Sequence, residues 1–145
     1  MPRAIDVAAY LLSLQDEDAG DAISNLKLQK LLYYSQGFHL AETGQPLFAE
    51  QIEAWQHGPV VPEIYEHFKA RGREPLPADL PYECLDDPTK AFLNEIYSVY
   101  GQFSAWKLSK MTHEETPWRS TAPGRQISHE VMREYFLEQV DGVRN

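Results

Sequence analysis

NLKLQKLLYYSQGFHLAETG, residues 25–44, is the strongest helical signal in the chain. Leu28, Leu31, Leu32, Ser35 and Phe38 recur at helical spacing on one stripe, and Leu26, Tyr33, Gly37 and Leu40 on a second. Two apolar stripes imply a helix buried on most of its sides, central to the fold. Ser24 or Asn25 suits its N-cap, and Gly44 suits its C-terminal stop. Gly37 inside the helix costs about 1 kcal/mol relative to Ala. That cost predicts a neighbouring element crossing closely at this point.

Working outward, residues 45–48 turn the chain, and 52–68, IEAWQHGPVVPEIYEHF, follow. Ile52 and Ala54 face one way on a short extended segment, Glu53 and Trp55 the other. Gly58-Pro59 punctuates the chain, and Pro62 fits the first turn of a new helix. Val61, Ile64, Tyr65 and Phe68 mark the apolar face of that helix. Upstream, Ile5, Ala8, Ala9 and Leu12 share a face of a helix over 4–14, followed by a solvated acidic break at 16–21. Downstream, four prolines make 71–88 a long loop with a candidate short strand at 82–85. Asp87-Pro88 starts a helix, with Asp87 as cap, Pro88 at the first position, and Phe92, Ile96, Val99, Tyr100 and Phe103 as its buried face. Ser104 caps a short helix that Pro117 keeps from continuing, and PGRQ at 123–126 reads as a surface loop. Ser128 caps a last helix with Val131, Met132, Tyr135 and Phe136 inside. The expected fold is mainly α: one compact domain over 1–145, about six helices, and a small extended element near 48–56.

Composition narrows the function. The net charge of -9 argues against a nucleic-acid partner, because phosphate contacts need Lys and Arg, although Lys107, Lys110, Arg119 and Arg125 leave a local basic patch open. It suits a basic protein partner. Cys84 is the single cysteine, so no intrachain disulfide forms, which fits a reducing cytoplasm. The N-terminal apolar stretch is amphipathic, contains Asp6 and does not read as a signal peptide. No run approaches the ~18 apolar residues of a membrane span.

Chemistry has few footholds. The five histidines, His39, His57, His67, His113 and His129, make no H-E-x-x-H pair, and a single Cys suggests no zinc site. Isolated glycines offer no phosphate loop, so no metal or cofactor is expected. Carboxylates around Cys84 raise a thiol pKa, the wrong direction for a nucleophile. His57 and His113 are the candidates for acid/base work, in one pocket with Glu115 or Tyr65; the plainer alternative is that each pins its own loop. LSKMTHEETPW, 108–118, is the second unusual stretch. Trp, Tyr and Pro on rigid loops are the raw material of protein–protein anchors, and buried they are simply core.

Three blocks, 27–48, 52–69 and 108–118, resemble the signature of the Panacea domain family, which includes SocA-like antitoxins and the phage-associated protein GepA. Trp55, Gly58, Pro59, Val60, Pro62, Ile64 and Tyr65 match its W-x-x-G-P-V-x-P-x-I-Y run. Leu108, Ser109, Thr112, His113, Glu115, Pro117 and Trp118 match its L-S-x-x-T-H-x-E-x-P-W run. The resemblance implies an antitoxin of a bacterial or phage pair that neutralises a cognate toxin, encoded by the adjacent gene, through direct protein binding. Some members instead hand a toxin to a protease. Trp55, His57, Gly58, Pro59, Pro62, Tyr65, Thr112, His113, Pro117 and Trp118 are the candidate toxin-binding or signature residues. An exposed aromatic face would serve a homodimer equally well.

Overall fold

The computed structural model describes residues 1–16 and 22–144. From position 17 onward, the acidic break expected at 16–21 lies outside the described residues. Among the described residues there are seven α-helices and one two-stranded sheet. The helices are α1 (Ala4–Ser13), α2 (Asn25–Thr43), α3 (Pro62–Phe68), α4 (Asp87–Tyr100), α5 (Ala105–His113), α6 (Thr116–Arg119) and α7 (His129–Arg144). Strands β1 (Glu53–Trp55) and β2 (Gly58–Val60) lie between α2 and α3.

α2 is the axis. Its N-cap is Ser24, whose Oγ accepts from the Lys27 amide at 3.3 Å, and it stops at Gly44 with φ 76. It is buried on nearly every side as far as Ala41, so the polar residues Asn25, Gln29, Lys30 and Gln36 are enclosed along with the leucines. Helices α1, α4, α5 and α7 all pack on it. The close crossing expected at Gly37 is made by Phe136 of α7: a Cβ there would lie 2.1 Å from the Phe136 ring. α7 is capped by Ser128 and buries Met132 and Phe136 against α2.

β1 and β2 are antiparallel, in the register Glu53–Val60, Ala54–Pro59, Trp55–Gly58. The extended element expected near 48–56 is therefore only the first half of a hairpin, and Gly58-Pro59 is its second strand rather than mere punctuation. The surface loop at 123–126 is exposed, but its backbone pairs with the outer edge of β1. Ala54 donates to the Arg125 carbonyl at 3.0 Å and accepts from Gly124 at 2.7 Å, and Ile127 donates to Ile52 at 2.8 Å.

Four expectations are corrected. No strand forms at 82–85: the Glu83 amide donates to the buried Asp6 carboxylate at 3.0 Å, and Cys84 takes φ 59, which breaks any ladder. Asp86, not Asp87, caps α4 by accepting from the Thr89 amide at 2.8 Å. The floor of α4 is Leu93 and Ile96, with Phe92 and Tyr100 half-buried, and Val99 is 49% exposed. Pro117, read as a stop, sits in the first turn of the extra helix α6, where its missing N–H costs nothing.

Candidate functional site

The hairpin 53–60 and the helices around it gather the unusual residues of the sequence. Its two-residue turn, Gln56-His57, keeps negative φ at both positions, and Gly58 at φ 117 completes the reversal. Gly58 is also hemmed in: a Cβ there would lie 2.7 Å from both Lys30 Cε and Thr112 Oγ1. Only glycine meets both demands.

A hairpin this short is marginal alone. Four side chains from other elements hold it by its carbonyls. Trp118 Nε1 donates to Trp55 O at 2.8 Å. His113 Nε2 bonds Gln56 O at 2.9 Å, which assigns the proton to that nitrogen. Ser109 Oγ donates to His57 O at 2.9 Å, and Lys30 Nζ to Pro59 O at 3.1 Å. Where the hairpin leaves for α3, the Val61 amide donates to Gln29 Oε1 at 2.9 Å, while Gln29 Nε2 donates to Asn25 Oδ1 and Asn25 Nδ2 to Tyr65 O. The rings brace the same corner: His113 lies 4.3 Å from Trp118, and Trp55 lies 5.1 Å from Tyr65, centroid to centroid. Thr112 is fully buried beneath Gly58, and Pro117 is buried at the start of α6.

The clasp makes Trp118→Phe informative. It keeps the ring and removes the bond to Trp55 O, so it is expected to cost about 1 kcal/mol. A urea titration reads this as a lower midpoint at unchanged slope. An unchanged midpoint would show that the indole N–H contributes nothing to the corner.

Glu115 sits behind the corner. Tyr33 donates to its Oε1 at 2.9 Å and Tyr34 to its Oε2 at 2.8 Å. Burial pushes its carboxyl up to about 7, and the two hydroxyl bonds only partly oppose that. Burial and the same carboxylate raise both tyrosines. Lys30, fully buried, is pushed down to about 7 by burial.

The structure does not bring His57, His113, Glu115 and Tyr65 around one pocket. Trp55 and Trp118 line a cavity of ≈ 600 Å³. His57 and Tyr65 line a separate cleft of ≈ 660 Å³. Neither His113 nor Glu115 lines either one. His113 pins the hairpin, the plainer of its two sequence readings, while the His57 side chain is exposed. Among the described residues no group of three or more His, Cys, Asp or Glu gathers as metal ligands, and no helix is long and apolar enough to cross a membrane.

Lys30 and Gln29 were not singled out from the sequence, yet they anchor Pro59 and Val61. The signal was there: two apolar stripes on α2 enclose the positions between them, and enclosed polar groups need partners. Their partners lie 29 and 32 residues away and carry no local mark.

Comparison with known proteins points the same way as the two runs. A family model described as antitoxin SocA-like, Panacea domain matches residues 28–119, which include the four side chains that hold the hairpin carbonyls and Gln29 but neither Asn25 nor the 122–127 edge. Antitoxin SocA of Caulobacter vibrioides (strain NA1000 / CB15N) is 44% identical over 73 residues, covering 49% of this chain. The match covers 39% of that protein's length. No solved structure matches the chain significantly.

Proposed function

The chain belongs to the SocA-like Panacea domain family, and from that premise we propose that it is an antitoxin acting as one domain in the cytoplasm, neutralising a cognate toxin by direct protein binding. The observation that carries the reading is the state of the signature corner. His113 and Glu115, the groups with catalytic potential, are committed to the Gln56 carbonyl and to two tyrosine hydroxyls. The Gln56-His57 tip is exposed, and His113 and Ser109 hold its two carbonyls. A surface ordered before binding loses little conformational entropy when a partner docks, which favours recognition over chemistry. The charge of -9 steers a basic protein on encounter and repels acidic competitors.

The test is co-expression with the product of the neighbouring reading frame. The expected result is rescue of growth together with co-purification of the two chains. Rescue without association, with the toxin disappearing only when a host protease is present, would replace neutralisation by binding with delivery to that protease. His57→Ala and His113→Ala separate the enzymatic reading: a folded variant that still protects cells removes that histidine from any chemistry of protection.

A further inference from the structure

The cleft beside the hairpin tip differs in charge from the rest of the molecule. It lies where the start of α2, the C-terminal end of α3 with its following turn, the hairpin tip and the first turns of α5 meet. Lys69 and Arg73 line one wall, His57 the tip, and Tyr65 and Trp106 supply aromatic surface. No Asp or Glu is among its lining residues, in a chain with 22 acidic residues against 13 basic ones. Trp106 is 71% exposed, the most exposed aromatic of the described core elements, and Lys110 Nζ lies 5.3 Å from its ring centroid. Lys69 has one loose neighbour of opposite sign, Glu66 at 3.9 Å, with both side chains 62% exposed. Such a pair contributes little and is easily exchanged for another carboxylate. The floor is rigid, because Ser109 of the same cleft holds the His57 carbonyl.

We infer that this cleft docks an acidic peptide segment of a partner protein, with an apolar or aromatic side chain of the segment set against Trp106 and Tyr65 and its carboxylates against Lys69 and Arg73. A large aromatic left in water beside cations of one sign fits the anchor-and-rim pattern of protein interfaces. The global acidity and the local basic cleft act at different ranges. The first governs encounter over a Debye length, and the second selects the segment once the surfaces touch. The inference deepens the proposed antitoxin reading, in which the segment belongs to the captured toxin.

The experiment uses the full chain in two arms. In the first, fluorescein-labelled decapeptides of Asp and Glu around a single Phe are titrated by anisotropy, beside analogues with Lys at every acidic position and beside oligothymidylate. Acidic peptides are expected to bind at least about tenfold tighter than basic ones and to weaken with added salt. Trp106→Ala and the double variant Lys69→Glu, Arg73→Glu are each expected to weaken binding by about tenfold or more, a size set by exposed anchor and charge contacts. These positions are exposed, so the variants keep the fold, which a thermal melt checks. Equal binding of basic peptides, no binding of acidic ones, preference for oligothymidylate, or affinity unchanged in both variants overturns the inference. In the second arm the same variants are co-purified with the neighbouring gene product. Capture of that protein at wild-type strength by both variants overturns the cleft and leaves the antitoxin reading standing. Acidic-peptide binding without capture by the wild type leaves the cleft standing and removes that reading.

Discussion

Gly37→Ala is expected to destabilise the protein by about 2 kcal/mol or more, although helix propensity alone predicts a gain of about 1 kcal/mol from the same change. The added Cβ would sit 2.1 and 2.2 Å from two atoms of the Phe136 ring, far inside any contact distance. The ring has nowhere to go. Phe136 is 1% exposed and packed between Phe38, Tyr135, Tyr33 and Tyr34, at centroid distances of 4.7, 5.1, 5.5 and 6.0 Å. Relief therefore requires α7 to move off α2, the axis of the fold. For a chain of this size 1 kcal/mol lowers Tm by roughly 2–4 °C, so the loss is visible in an ordinary thermal melt. The cause is checked by a double-mutant cycle with Phe136→Leu. That change alone costs stability by opening space, but in the Gly37→Ala background it removes the clash, so the two effects should fall well short of adding. Additive losses, or a Gly37→Ala variant as stable as the parent, would place the crossing elsewhere.

That glycine also shows where sequence reading succeeds. Its cost inside a strong helix demanded a compensating close approach, and α7 provides one. The same stripes that located α2 told that its sides are covered. Reading failed where distant partners decide. Val99 continues the apolar run of α4, but the helix is set on Leu93 and Ile96, which turns Val99 outward. Residues 82–85 have strand-like composition, yet Asp6, 77 positions away from Glu83, takes the amide a ladder would need. Gly58-Pro59 looks like punctuation because proline cannot donate. In this register Pro59 faces Ala54, whose own N–H and C=O are satisfied on the other edge by Arg125 and Gly124, so the strand survives. The signature residues were visible as types and spacings. Their use as clamps on backbone carbonyls was not, because a carbonyl has no letter in the sequence.

The buried ionisable groups behind the corner predict a stability minimum near neutral pH. Lys30 ordinarily titrates at 10.5 and is pushed down to about 7 in the folded protein by burial, with the Pro59 carbonyl 3.1 Å away. Between those values the unfolded chain binds a proton that the folded chain does not, so stability rises with pH from about 7 towards 10.5. Glu115 moves the opposite way, from 4.5 up to about 7, so between those values the folded chain keeps a proton that the unfolded chain has lost. Its contribution is full below 4.5 and is lost as pH rises towards 7. The two limbs meet near neutrality, the acid one on the order of 3 kcal/mol and the alkaline one on the order of 5 kcal/mol. Asp6 and Asp86, both held below the ordinary carboxylate value, act only in acid, where protonation removes their stabilisation. Urea midpoints across pH should therefore fall from weakly acid to neutral and recover from neutral to about 10, above which the tyrosines held above their ordinary value oppose the rise. Lys30→Met is expected to flatten the alkaline limb and spare the acid one, and Glu115→Gln the reverse. The slope is the diagnostic, because Lys30→Met also strands the Pro59 carbonyl at about 1–3 kcal/mol and shifts the whole curve. A flat alkaline limb in the parent, or one that survives in Lys30→Met, would place the proton on another group. Both residues hold the signature corner to α2, so its anchoring is weakest near neutral pH.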